Sequence, residues 1–362
     1  MKLLFLIDNL GSGGAQRQLS VVAPLLKQEG VDVEVLCYHN SDFFARILNE
    51  NNIPIHWITP KNNLMRIWKV LQFIRKGNYD SVVSFLDTPD LLNCMAALGG
   101  RKWKVITSER SAKEEFFHIR RGRIVAWFKQ YSDAIVCNSD NARQLWLKYY
   151  PHYNNKLKVI YNIVTLPEVT TMYIPRRGGK THIIVAASYQ YLKNPINVIK
   201  AVALLRKEEK DRLHLDWYGR KEVSNGNTKA YEEALSLIEE YDLQHIVYLN
   251  DETKEIAEKM NEADVVALFS RLEGLPNAIC EGMTLAKPIV MTRVSDYNII
   301  VDNSHGVLCD WDNVESITEG LRTMINSSEE ELLKMGRKSK EKSALLFSAA
   351  AIIKQWKQIT VS

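Results

Sequence analysis

Cysteine is scarce in this 362-residue chain: Cys37, Cys94, Cys137, Cys280 and Cys309, with no C-x-x-C pair among them. That excludes a disulfide framework and a cysteine-rich zinc module. Most of these thiols lie in or beside apolar runs, which predicts reduced, buried side chains of a cytosolic protein. Long apolar runs are lacking as well. Ala344 to Ile353 falls well short of the ~20 residues needed to span a bilayer, and Leu3 to Ile7, closed by Asp8, is no signal peptide. The expectation is a protein without membrane-spanning segments. An excess of one charge is also missing, since 47 Lys and Arg face 43 Asp and Glu. The net +4 is too small to argue for nucleic acid. What is present is ordinary for a globular protein, 46% hydrophobic and 25% charged, and the length favours two cores over one.

Taken in order, the chain alternates strand-like and helical patterns. Lys2 to Asp8 reads as a strand, and Gly11-Ser-Gly-Gly14 as a turn opening a helix from about Ala15. Gly30 ends that helix and Pro24 predicts a kink within it. Strands follow at 31–38 and 53–58, with a short helix between them at 43–49. The next helix carries Leu64, Ile67, Trp68, Leu71 and Ile74 on one stripe, with Gly77 as its C-cap. Further strand-like runs fall at 81–86, 104–107, 134–137 and 158–161. Residues 164–180, with Pro167, Pro175 and Gly178-Gly179, break the periodicity and read as a linker. A second series begins at 182–187 and continues at 214–218, 246–249, 265–269, 289–292 and 306–309. Alternation of this kind predicts an α/β fold of two tandem doubly wound, Rossmann-like domains.

The most informative stretch is Ser270-Arg-Leu-Glu-Gly-Leu-Pro-Asn-Ala-Ile-Cys-Glu-Gly-Met283. An apolar run, Asp264 to Phe269, precedes it as a buried strand, and residues 278–285 have helical composition with Asn277 as the expected N-cap. The first N–H groups of a helix have no internal partner and sit at the positive end of its dipole, so this helix end suits phosphate. Glu273 and Glu281 flank it. Ionised carboxylates only accept hydrogen bonds, which suits sugar or ribose hydroxyls. The alternative is a loop charge at Glu273 and a dipole-complementing Glu281.

Glu273, seven residues, then Glu281, with Gly274-Leu275-Pro276 between them, resembles the signature of the retaining nucleotide-sugar glycosyltransferases of family four. Lys287-Pro-Ile-Val-Met-Thr292 and Gly306-Val-Leu308 resemble the segments that follow it there, and the likeness is strongest over about 180–310. The resemblance implies the GT-B arrangement, two domains facing across a cleft. Residues 1–165 would be the acceptor-side domain and 180–346 the donor-binding one, with a C-terminal helix in 347–362 crossing back to the first. It implies that Glu281 holds the nucleotide ribose, that Glu273 contacts the donor hexose, and that amides around Leu275, Pro276, Asn277 and Ala278 take phosphate and sugar. Lys193 matches the family's diphosphate lysine, whereas Gln190 stands about where an arginine is usual. That loss removes a forked cation, which Arg293 could replace. Gly219 and Leu249, each closing a strand, resemble the edges of the nucleobase pocket.

The Gly11-Ser-Gly-Gly14 turn is not a dinucleotide fingerprint, because the third glycine position holds Gln16 and no carboxylate follows the next strand. Gly13-Gly14-Ala15-Gln16 resembles the family's N-terminal glycine loop, bordering donor phosphate and acceptor. Thr107-Ser108-Glu109-Arg110 resembles the Ser-Glu-Arg of members that add amino sugars to lipid-linked glycans in bacterial surface-polysaccharide assembly, which makes Glu109 and Arg110 the acceptor-side candidates; the alternative is an intradomain ion pair. His118, alone in a charged loop, is the weaker participant. Between Arg101 and Lys129 nine Lys or Arg meet three Glu, interleaved with Phe116, Phe117, Ile119, Trp127 and Phe128. This segment suits an anionic membrane surface, or else is a solvated amphipathic helix. Asp310-Trp-Asp312 has the form of a D-x-D metal site, but no metal and no cofactor are expected. The resulting expectation is a cytoplasmic, membrane-peripheral enzyme that moves a hexose or N-acetylhexosamine from a UDP-sugar to a glycan or lipid-linked glycan. Transfer would retain the anomeric configuration, with front-face attack on the side the diphosphate leaves. The rivals are a sugar-nucleotide epimerase on the same architecture and a non-catalytic sugar-nucleotide or glycan binder.

Overall fold

The computed structural model describes every residue except Ser111, Lys113, residues 223–225 and Ser362, together with the side chain of Val361. Two compact units divide it: Met1–Ile163 with Phe347–Ser362, and Val164–Leu346. The first is built on seven parallel strands, β1 (Lys2–Ile7), β2 (Asp32–Cys37), β3 (Ile55–Trp57), β4 (Ser81–Phe85), β5 (Lys104–Glu109), β6 (Ala134–Cys137) and β7 (Leu157–Val159). They lie in the order β3-β2-β1-β4-β5-β6-β7. The second has six, β8 (Thr181–Ala186), β9 (Leu213–Tyr218), β10 (Val247–Asn250), β11 (Val265–Leu268), β12 (Ile289–Thr292) and β13 (Gly306–Cys309), ordered β10-β9-β8-β11-β12-β13. Both are doubly wound parallel sheets, and their central strands are apolar and buried on both faces. Such sheets reverse direction between β1 and β4 and between β8 and β11. The loops after those four strands diverge there and leave a crevice at the strands' carboxyl ends.

Three expectations from sequence need correction. The helix Gly14–Gln28 runs on through Pro24 as one element. The helix Asn63–Lys76 ends before Gly77 as expected and buries Val70 and Ile74, but Leu64 and Trp68 of the same stripe stand 78% and 59% exposed. Periodicity fixes the angle of an apolar stripe, not where the neighbouring layer ends. The stretch 164–180 is not a bare linker. Glu258 accepts four hydrogen bonds from the backbone and hydroxyls of Thr170 and Thr171, which hold its carboxyl down at about 2. Tyr173 donates to Asp264 at 2.7 Å, and the buried Lys287 ammonium lies 3.4 Å from the Tyr173 ring centroid.

The last helix, Ala349–Val361, belongs to the first unit. Ile352, Ile353 and Trp356 enter its core, Trp356 stacks on Phe85 with centroids 6.1 Å apart, and Ser81 donates to the Thr360 carbonyl at 2.7 Å. All five cysteines are free thiols and buried. Among the described residues, no helix is long and apolar enough to cross a membrane.

Candidate active site

The signature stretch lies at the crevice of the second sheet. Following β11, Ser270 to Pro276 forms a loop, and the helix Asn277–Thr284 begins directly after it. Pro276 is the N-cap residue and has no side chain that can accept a hydrogen bond, whereas Asn277 is the first residue inside the helix. Asn277 is therefore not the cap that composition suggested. The helix lies close against its sheet because of Gly282, where a Cβ would meet the Val266 side chain at 2.7 Å. Glu281, a little over one turn in, is buried.

The turn after β8 meets this loop. Arg271 donates its backbone N–H to the Leu192 carbonyl at 2.9 Å, which brings Lys193 beside Glu273. The Lys193 ammonium lies 2.5 Å from Glu273 Oε1, and the Ser270 hydroxyl donates to the same oxygen at 2.6 Å. Ser270 is in turn fixed by Thr292, which donates to its carbonyl at 2.6 Å. Sequence reasoning separated Lys193 and Glu273 by eighty positions, and tertiary structure makes them an ion pair. Gln190 begins the same turn and donates to the Ser188 hydroxyl at 2.9 Å. Arg293, the suggested substitute for the usual arginine, is paired with Asp310 at 2.7 Å. That pairing also engages the first carboxylate of the D-x-D.

Gly219 and Leu249 stand at the carboxyl ends of β9 and β10. A Cβ on Gly219 would come within 1.9 Å of the Ala187 carbonyl, so only glycine lets the β8 and β9 loops approach this closely. Tyr189 locks the three strand ends, donating to the Trp217 and Asn250 carbonyls at 2.7 and 2.8 Å. One edge of the second unit thus gathers Gln190, Lys193, Gly219, Leu249, Glu273, Leu275–Ala278 and Glu281.

The first unit has its own cavity, of about 590 Å³, beyond the ends of β1, β2, β4 and β5. Asp8, Tyr38, Arg66, Asp87, Glu109 and Arg121 are among its lining residues, and Arg110 joins them. Glu109 is held in an ion pair within its own unit, as the alternative reading had it. Glu109 accepts from the Trp146 indole at 3.1 Å and lies 3.7 Å from the Lys129 ammonium. Arg110 donates to Asn162 at 3.0 Å, and its guanidinium covers the Phe85 ring at 4.4 Å. The Tyr38 hydroxyl and Arg110 Nε are buried without a hydrogen-bond partner, as happens where a polar ligand supplies the missing contact. Gly13 is the N-cap of the helix Gly14–Gln28, and a Cβ on Gly14 would meet open space. His118 stands aside, 3.0 Å from the Tyr149 hydroxyl. Sequence reading missed Asp8 and Asp87, although polar residues just past a strand's carboxyl end are a usable signal. Arg66 and Arg121 lie on helices and offered none.

The basic segment is narrower than its composition implied. Lys129 is fully buried on Asp90 at 2.6 Å, and Phe117 turns inward onto Trp146 and Tyr149. Ile119, Ile124 and Trp127 stand exposed close to Arg120, Arg121 and Arg123 in sequence.

Residues 12–167 match the family model described as Glycosyltransferase Family 4, and residues 174–342 that of Glycosyl transferases group 1. The chain belongs to glycosyltransferase family four. A relative from Campylobacter jejuni, an N-acetylgalactosamine-N,N'-diacetylbacillosaminyl-diphospho-undecaprenol 4-alpha-N-acetylgalactosaminyltransferase, is 24% identical over 94% of each chain. The amylovoran biosynthesis glycosyltransferase AmsD of Erwinia amylovora is 24% identical over 99% of each. Among solved structures, Anabaena HepE in complex with UDP matches with a TM-score of 0.84 at 17% identity over 99% of each chain. TarM matches at 0.81 and 10%, over 100% of this chain and 99% of the other. The structural likeness shows the shared GT-B type of fold, and the family makes the protein a glycosyltransferase.

Proposed function

We propose that the protein transfers a hexose or N-acetylhexosamine from a UDP-sugar to a glycan or lipid-linked glycan in bacterial surface-polysaccharide assembly, with retention and without a metal. The observation that carries the reading is the Lys193–Glu273–Ser270 cluster beside the amino end of Asn277–Thr284. In this reading Lys193 and the backbone N–H groups of Leu275, Asn277 and Ala278 hold the diphosphate and stabilise the charge it gains on leaving. Glu281 accepts from the ribose, Glu273 from the hexose, and Gly219 with Leu249 border the base. Gln190, a neutral side chain tied to Ser188, adds no charge, so the ammonium and the helix end carry the electrostatics. The UDP complex of HepE and the polysaccharide and lipid-linked substrates named for the relatives support the donor and acceptor classes.

Acceptor binding is assigned to the first unit, with Glu109, Arg110, Gly13 and Gly14 around the cavity. The orphaned Tyr38 hydroxyl and Arg110 Nε suit a polyhydroxylated ligand. Ile119, Ile124 and Trp127, flanking Arg120, Arg121 and Arg123 in sequence, would rest on an anionic leaflet. The double variant Ile124→Ser/Trp127→Ser should lower the partition constant for phosphatidylglycerol vesicles in co-sedimentation about 100-fold, each side chain giving up ~1.5 kcal/mol or more of burial. Unchanged sedimentation would remove the membrane from the account.

A thermal-shift panel of uridine, guanosine and adenosine diphosphates with their common sugars tests the donor, because a ligand stabilises only the state that binds it. UDP should give the largest shift. Glu281→Ala should weaken UDP about 10- to 100-fold, the scale of hydrogen bonds to a charged acceptor. Wild-type affinity in that variant would overturn the ribose assignment.

A further inference from the structure

A second polar cluster lies in the same unit, on one face of its sheet. His182 on β8 and His214 on β9 are register partners, and Asp216 follows His214 by two. Alternation along the strands puts all three side chains on one face. Nε2 of His182 and of His214 approach the same oxygen, Asp216 Oδ2, at 2.8 and 3.1 Å. Their candidate ligand atoms all lie within 4.8 Å of one another. Asn250 on β10 donates to the other carboxylate oxygen at 2.8 Å, which aims Oδ2 at the imidazoles. Tyr248 stacks on His214 with ring centroids 4.6 Å apart and fixes its plane.

We propose that His182, His214 and Asp216 bind a borderline divalent cation of the zinc class, with solvent completing the coordination. Two imidazoles and one carboxylate are the donor set such ions take, with bonds of about 2.0–2.2 Å. A shared oxygen already lies between both ring nitrogens, so only small side-chain movements admit an ion. Each imidazole would carry its proton on Nδ1 and turn the Nε2 lone pair to the metal. Asn250 and Tyr248 supply the outer support that orients ligands in metal sites. The side chains are 13–33% exposed, so an ion reaches them without unfolding. His182 lies five residues before Ala187, roughly 16 Å along the strand from the crevice. The ion would clamp β8 to β9, with β10 held through Asn250, and take no part in transfer.

The test is calorimetric titration of zinc into the untagged, chelator-stripped full chain, with cobalt absorption as a second readout. One ion per chain is expected. His182→Ala/His214→Ala should weaken binding at least ~100-fold and Asp216→Asn at least ~10-fold, in line with losses seen even for outer-shell partners. Binding of UDP, measured in parallel, should stay at the wild-type level in the double variant and so reports that the variant is folded. Wild-type zinc affinity no better than that of the folded double variant would overturn the proposal and leave a hydrogen-bond network only.

Discussion

Glu273→Gln is expected to lower turnover by about 10²–10³-fold, the loss seen when one preorganised electrostatic contact to a transition state is removed. The substitution keeps the side chain's size, so the loop should retain its shape. The carboxylate does two things: it accepts from Lys193 and Ser270, and it neutralises much of the Lys193 charge. Removing its charge therefore frees the ammonium for the diphosphate. UDP should bind at least as tightly as to wild type while UDP release from the sugar nucleotide slows. That split separates a role in orienting the hexose from simple damage to the site, which would weaken both. Turnover within about threefold of wild type would remove Glu273 from the chemistry.

Lys129→Met should cost about 3–5 kcal/mol of the first unit's stability, the penalty for breaking a buried ion pair from one side. Lys129 and Asp90 are each only 1% exposed and 2.6 Å apart. Burial pushes the Asp90 carboxyl up while Lys129 pulls it back. Burial alone would lower Lys129, but Asp90 and Glu109 outweigh it and hold the ammonium charged. With Met at 129 the Asp90 carboxylate loses the ammonium 2.6 Å away, and Glu109, which lines the cavity, loses the Lys129 charge 3.7 Å away. Chemical denaturation followed by near-ultraviolet circular dichroism measures the loss. The double variant Lys129→Met/Asp90→Asn should recover part of it, because no uncompensated charge stays at position 90. A loss below about 1 kcal/mol for Lys129→Met, or no recovery in the double variant, would show that the pair is not what holds this layer.

Lys129 also shows where composition misleads. It belonged to a segment read as a basic surface, yet it is buried where Lys102, Arg120, Arg121 and Arg123 are exposed. Nothing local distinguishes it; burial follows from Asp90 on a helix thirty-nine residues earlier. Leu64 and Trp68 fail in the opposite sense, apolar at helical spacing yet exposed. In both cases the neighbour that decides burial lies far off in sequence.

The sequence by itself determined both sheets, because strands buried on both faces need unbroken apolar runs and their crossovers need amphipathic helices. It also located the Glu273–Glu281 stretch, because a strand, a glycine–proline loop and a helix start are all local signals. Only the tertiary structure decided that Lys193 neutralises Glu273, that Glu109 answers to Lys129 rather than Arg110, and that His182 meets His214 and Asp216. Those are contacts between different strands and loops, set by sheet order and register. Their energies depend on a shared low-dielectric surrounding that no stretch of chain possesses before it folds.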